Sequence, residues 1–403
     1  MEDEEDSPVA TLPPELLQHV FSFLDMTNLC AVADVCRKWR DLSRCASLWR
    51  HRHVDLDCAE DGFLFLKIMK NAPELASITV EENSVPGFSD IEPLEPGSMV
   101  CDTVRALRVG LKDDESPHYD SALALLRRYS PTVETLELGA LDAEILHALA
   151  AARRLRKLKI VSPLRESVTV SALRAAVQTC GAIEDLDLER MCEYAEQDDS
   201  TVEPSEVVRE FVGATGSTLR SLNLPASFWG IEDDVLDEVV RKCVLLESLG
   251  AEFRYANRLI QCLPRLRSLR LVSSEQTATR EYIEDLQQVV RLGVGDAVPL
   301  ARVEHLALQL YYVAYQWEDA DYATALMRLC PRLQSLDLDI EGFVYIAQDV
   351  QVTLGRLRNL LEAAGTARTR LNIFSEPNKA VEEAVLSVMP SIAELTFTTS
   401  KQC

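Results

Sequence analysis

Residues 266–271 read LRSLRL, and the same phrase returns as LRSLNL at 219–224, LESLGA at 246–251, VEHLAL at 303–308 and LQSLDL at 333–338. Working outward, earlier copies stand at 75–80 (LASITV), 104–109 (VRALRV), 133–138 (VETLEL), 155–160 (LRKLKI) and 183–188 (IEDLDL). A last one stands at 392–397 (IAELTF), and a weaker copy around Leu371–Ile373 is expected to fill the gap before it. Side chains alternate along a strand, so apolar residues at every second position put one face of each copy indoors. From Leu107 to Leu336 the central leucines lie 20 to 37 residues apart. A short strand that returns at such a period cannot bury its apolar face alone, so the copies must stack.

Between the strand-like copies, helical spacing of apolar residues predicts helices. They fall at Ser121–Tyr129, Ala143–Ala152, Val170–Thr179, Pro204–Val212, Asp233–Cys243, Tyr282–Leu292, Tyr322–Leu329 and Lys379–Val388. Strand and helix in alternation imply an α/β fold with a parallel sheet and helices on its convex side. The period resembles that of leucine-rich repeats, about 20–29 residues, with the longer steps read as insertions. That implies a solenoid of about 11–12 irregular repeats over residues 55–403. Cysteines recur where helix gives way to strand, at Cys180, Cys243, Cys262 and Cys330. A buried small residue at a repeated turn explains them better than metal ligation.

The first fifty residues are different. After an acidic stretch, 1–8, read as a disordered tail, comes LPPELLQHVFSFLDMTNLCAVADVCRKWRDLSRCASLWRHRHVDL at 12–56. Pro13 and Pro14 suit a helix start, and Leu16, Leu17, Val20, Phe21 and Leu24 follow at helical spacing. Asp25–Asn28 reads as a turn, and Leu29, Val32, Ala33, Val35 and Cys36 form a second stripe with Trp39 one turn beyond. Leu48 and Trp49 mark a third short helix. Leu12, Leu16, Leu17 and Phe21 exceed what so small a bundle hides. The excess needs either the rest of the chain or another protein to cover it.

Over residues 9–54 this segment resembles the F-box family. The family's Leu-Pro falls on Leu12 and Pro13, its Ile/Val-Phe-x-x-Leu on Val20, Phe21 and Leu24, its Val-Cys-x-x-Trp on Val35, Cys36 and Trp39, and its Leu-Trp on Leu48 and Trp49. The resemblance implies a three-helix module that docks onto the Skp-family adaptor, and through it onto the cullin and RING subunits of a ubiquitin ligase. By the same resemblance Leu12, Pro13, Leu16, Leu17, Val20 and Leu29 are the adaptor contacts, while Trp39 and Trp49 pack internally.

The net charge of −24 repels phosphates and anionic lipid, which disfavours nucleic acid and membrane surfaces as partners. No apolar run approaches the roughly 20 residues that span a bilayer, and the acidic start is unlike a signal peptide. Eleven cysteines without paired spacing point to reduced thiols, hence to the cytoplasm or nucleus.

No phosphate-binding glycine loop, metalloprotease motif or nucleophile elbow is present. His51 and His53 stand in a solvated junction rather than a metal site, and no cofactor is expected. The chain reads as a binding protein, not an enzyme. Residues flanking the strand leucines offer a polar face of mixed sign, from Lys157 and Lys159 through Asp185, Asp187, Glu189, Asn223 and Arg270 to Gln309, Asp337 and Asp339. Aromatic and arginine residues just after the strands are candidates for holding a protein substrate, since such side chains carry interface energy when exposed. They are Tyr311, Tyr312, Tyr315 and Trp317, with Trp229, Arg254 and Tyr255. Loops are expected at 84–98 and 193–205. The leading expectation is a substrate receptor of a ubiquitin ligase. A non-ligase scaffold and a small-ligand co-receptor are the alternatives, the latter needing a basic floor for which Lys157, Lys159, Arg267 and Arg270 are too few.

Overall fold

A computed structural model describes residues 12–56, 62–81, 100–110, 119–139, 141–161, 167–192, 202–225, 231–252, 255, 258–259, 263, 265–272, 300–311, 324, 326–328, 330–341, 359, 362–365, 367–374 and 392–398. The chain divides into two compact units, Met1–Ile183 with Asp199–Thr201, and Glu184–Asp198 with Val202–Cys403.

The first unit opens with four short helices, α1 (Pro14–Ser22), α2 (Met26–Val35), α3 (Arg37–Ser43) and α4 (Ala46–Trp49). Pro14 sits at the first turn of α1, where its missing N–H leaves nothing unpaired. Asp25 caps α2 by accepting the Asn28 N–H at 2.7 Å. Three helices were expected here. The second stripe breaks at Cys36, whose backbone is extended, so Trp39 belongs to the separate α3. Arg40 Nε donates to Ala33 O at 2.9 Å and satisfies a carbonyl that the break leaves open.

Strand and helix then alternate: β1 (His53–Leu56), α5 (Gly62–Asn71), β2 (Glu74–Glu81), β3 (Thr103–Gly110), α6 (Tyr119–Tyr129), β4 (Thr135–Leu138), α7 (Ala143–Leu149), β5 (Lys157–Ile160) and α8 (Val170–Thr179). Each strand pairs in parallel with the next, and Val54, Ile78, Leu107, Leu136 and Leu158 stand abreast. Strand β1 begins at His53, so the solenoid's first rung starts inside the segment assigned to the helical module. Helix α5 was not expected, although Phe65, Ile68 and Met69, all buried, have helical spacing.

The second unit holds β6 (Asp185–Asp187), a 3-10 turn (Glu189–Cys192), α9 (Pro204–Thr215), β7 (Ser221–Asn223), α10 (Asp233–Lys242), β8 (Ser248–Glu252), β9 (Ser268–Val272), β10 (His305–Tyr311), β11 (Ser335–Glu341), β12 (Arg368–Phe374) and β13 (Ile392–Thr398). These too pair in parallel and in sequence order, with Leu186, Leu222, Leu249, Leu269, Leu306 and Leu336 in line. All six are buried. The weak copy forms β12, but Thr369 takes the central-leucine place and Leu371 lies beside Leu338. Leu395 pairs with Leu371 past an irregularity at Thr369/Arg370, so it continues the later leucine row rather than the central one. The helices expected at 282–292 and 379–388 and the loop at 84–98 lie outside the described residues, as does most of 193–205 before Val202.

Candidate functional site

Helix α1 is apolar on two neighbouring faces. Leu17 and Phe21 are buried, with Leu24 half-buried behind them. Shifted by one residue, about 100° around the helix, Leu16 is 51% exposed, Val20 50% and Phe23, just past the helix end, 77%. The inward stripe completes the bundle, and the outward stripe meets solvent. Pro13 beside it is exposed and Leu12 half-buried, the Leu12 carbonyl accepting from Lys38 Nζ at 3.3 Å.

Of the six residues expected to touch an adaptor, Leu17 and Leu29 are buried in the bundle and offer a partner no surface. Leu29 shares the buried face of α2 with Cys30 and Ala33. Phe23 was not among the expected contacts, although it lies three residues beyond Val20 and seven beyond Leu16. Its ring meets that of His19 edge-on, 5.0 Å between centroids. Val35 is a further exposed apolar residue, at the end of α2.

Buried polar contacts hold the backbone behind the stripe. Trp49, fully buried, donates its indole N–H to Ser43 O at 2.6 Å, and Phe21 meets Trp39 edge-on at 5.6 Å. Arg52 donates to Leu48 O at 2.7 Å and to Leu24 O at 2.6 Å, with its guanidinium 5.9 Å from the Trp49 ring. Burial works against the Arg52 charge while Asp25 supports it. Arg44 reaches Asn71 Oδ1 and Lys70 O, each at 3.3 Å, and ties the bundle to α5.

The exposed sheet face is polar and largely self-neutralised. In the first unit Glu137 lies between Arg108 at 3.3 Å and Lys159 at 3.4 Å. In the second, Arg270 pairs with Glu189 and donates to Gln309 at 3.1 Å. Lys159 and Arg270, two of the cations expected of a basic floor, are thus already engaged. Asp339 stands beside Gln309 and Asn372 in register. Burial pushes its carboxyl up from the usual range, with Asn372 and Arg270 pulling the other way.

The aromatic candidates fare unequally. Tyr255 is buried and its hydroxyl accepts the Ile231 N–H at 2.5 Å, so it serves a local core rather than a recognition edge. Tyr311 ends β10 opposite Glu341. Trp229, Arg254, Tyr312, Tyr315 and Trp317 lie outside the described residues. The junction residues Cys180, Cys243 and Cys330 have thiols pushed up to about 12 by burial. The Cys330 thiol donates to Leu326 O at 3.4 Å. Among the described residues, no cluster of three His, Cys, Asp or Glu is placed to hold a metal ion, and no helix is long and apolar enough to cross a membrane.

Two residues before the central leucines from Leu107 to Leu306 the charge alternates: Arg105, Glu134 and Arg156 in the first unit, then Glu184, Arg220, Glu247, Arg267 and Glu304 in the second. Backbone hydrogen bonds join neighbours within each run, and Arg220 pairs with Glu247 at 2.9 Å. Neighbouring repeats are complementary at this position while next-nearest ones repel, which opposes pairing out of order.

The F-box-like family pattern matches residues 9–55. The N-terminal helices are thus similar to an F-box-like domain. F-box/LRR-repeat protein 5 of Xenopus tropicalis is 40% identical over 55 residues, which is 14% of this chain and 8% of that protein. The Danio rerio protein of the same name is 49% identical over 43 residues, 11% of this chain and 6% of the relative. An F-box protein of the yeast Saccharomyces cerevisiae is 33% identical over 88 residues, 21% and 13% of the two chains. The chain therefore matches only a small part of each relative's length. Among solved structures, the leucine-rich repeat-containing protein LegL7 of Legionella pneumophila superposes with a TM-score of 0.45 at 14% identity, covering 85% of this chain and all of that one. The strand register itself carries the repeat assignment behind the F-box-like domain: within the first unit Ile78, Leu107, Leu136 and Leu158 stack in turn, and within the second Leu186, Leu222, Leu249, Leu269, Leu306 and Leu336 do the same.

Proposed function

We propose that the F-box-like domain docks the chain onto the Skp-family adaptor of a cullin–RING ubiquitin ligase, and that the repeats hold a protein target for ubiquitination. The observation that carries this is the outward stripe of α1, where Leu16, Val20 and Phe23 stay in solvent although the bundle behind them is closed. Leu12 and Pro13 extend that surface. Covering the exposed halves of Leu16 and Val20 contributes about 1 kcal/mol each, an incentive to bind that the chain itself leaves unmet. The relatives matched over this domain carry F-box names, which supports the same reading.

The repeats contribute binding, not chemistry. Holding a target beside the loaded conjugating enzyme raises its effective concentration there. Such a receptor works in the cytoplasm or nucleus, where the ligase is found. The polar sheet face suits a protein ligand held by hydrogen bonds and paired charges, and Tyr311, Tyr312, Tyr315, Trp317, Trp229 and Arg254 are further contacts to test. Titrating the purified chain against a recombinant Skp-family adaptor tests the docking half. Leu16→Asp with Val20→Asp should abolish binding, and undiminished affinity would refute it. Affinity capture with the ligase inhibited tests the second half: targets should accumulate on the native chain and not on one lacking the repeats.

A further inference from the structure

The turns that lead into β9, β10 and β11 carry arginine at one repeated position. Arg265, Arg302 and Arg332 each stand four residues before a central leucine, Leu269, Leu306 and Leu336. Those leucines pair directly across the three strands. At the same position the earlier repeats have Glu74, Thr103, Thr132, Ala182, Thr218 and Leu245, with one isolated Arg154. Neighbouring strands lie about 4.8 Å apart, so three guanidinium-bearing side chains stand in file. Like charges stacked this way repel.

Arg267 adds a fourth cation. With Glu247 and Glu304 these arginines line an open cleft of about 450 Å³. Among the described lining residues, four guanidinium groups stand with two carboxylates, a surplus of two positive charges. Glu247 is moreover shared with Arg220, which does not line the cleft. Among the described residues, Arg265, Arg267 and Arg332 form no ion pair with a carboxylate. All four arginines are exposed, so solvent and ligands reach them.

We infer that this cleft binds a phosphoryl group. Guanidinium forks match phosphate oxygens two at a time, and a surplus of two suits a dianion better than a single carboxylate. The volume exceeds what one phosphate fills, which leaves room for the segment that carries it. The chain's net charge of −24 repels a polyanion such as nucleic acid, so the fitting ligand brings one phosphoryl group on a peptide, or is phosphate itself. The inference stands independently of adaptor docking, because every residue in it lies in the second unit.

The test uses the full chain and a variant with Arg265→Gln, Arg302→Gln and Arg332→Gln. Thermal unfolding is compared in inorganic phosphate and in chloride of equal ionic strength. Phosphate should raise the midpoint of the native chain above its chloride value, and the variant should lose that response, its phosphate affinity falling about tenfold for each guanidinium removed. In chloride the variant should melt no lower than the native chain, since a file of like charges has gone. Equal midpoints in phosphate and chloride for the native chain, or a variant that keeps the full phosphate response, would overturn the inference. A variant that melts lower in chloride would assign the arginines to structure and overturn it as well. Displacement of phosphate by a phosphoserine peptide but not by its unphosphorylated twin identifies a protein source, and silence of both peptides identifies the free anion.

Discussion

Leu16 and Leu17 are neighbours in sequence with opposite surroundings, so the same truncation should cost far more at Leu17 than at Leu16. Leu17 is 1% exposed, and replacing such a leucine by alanine costs about 2–5 kcal/mol. Leu16 is 51% exposed, so about half of its burial is absent from the free chain and the loss is about 1 kcal/mol at most. The better helix propensity of alanine returns a few tenths of that. A gap of about 2 kcal/mol corresponds to roughly thirty-fold in an opening equilibrium. Hydrogen exchange followed by mass spectrometry over residues 14–49 reads this directly, because a small bundle opens locally before the chain unfolds. Leu17→Ala should speed exchange across α1–α4 by roughly thirty-fold or more, while Leu16→Ala stays within about fivefold of the native chain. Equal acceleration by the two variants, or none by Leu17→Ala, would refute the division of α1 into a core face and a free face.

Gly181 follows α8 where backbone passes close: a Cβ there would stand 2.6 Å from Arg153 O and 2.7 Å from Leu155 O. Neither carbonyl can swing aside, so Gly181→Ala should cost about 1–3 kcal/mol and lower the melting midpoint; an unchanged midpoint would show that the turn adjusts freely. Asp339, whose carboxyl burial holds above the usual range, makes its favourable contribution below the ordinary carboxylate pKa and loses it as pH rises through the raised value. Asp339→Asn should therefore raise the midpoint at pH 7 and lose that advantage toward pH 3; a lower midpoint at pH 7 would mean that the pull of Asn372 and Arg270 outweighs burial.

The repeats were legible because their signal is periodic and redundant. Leu222, Leu249, Leu269, Leu306 and Leu336 all took the stacked central position expected of them. Legibility failed where the pattern was stretched. With Thr369 in place of leucine and a register shift beside it, Leu395 looked central while stacking in the later row. In the F-box-like domain, the apolar spacing of α1 revealed a helix that needed covering on more than one side. It did not separate Leu16 from Leu17, because both are leucines and the face that turns in is set by tertiary packing such as that of Phe21 against Trp39. Tyr255 shows the same gap: an aromatic after a strand serves an interface or a local core, and its hydroxyl on the Ile231 N–H decides for the core. Residue type sets how much apolar surface must be hidden, while tertiary packing sets where.

Docking through the outward stripe of α1 is most directly tested by the affinity of the purified chain for a Skp-family adaptor, measured for the native chain and for Leu16→Asp with Val20→Asp. Both substituted side chains are half in solvent, so hydrogen exchange over 14–49 should show the bundle still closed. Tight binding by the native chain and its loss in a folded double variant is the predicted result. A folded double variant that binds the adaptor as tightly as the native chain, or a native chain that does not bind it, would contradict the proposal.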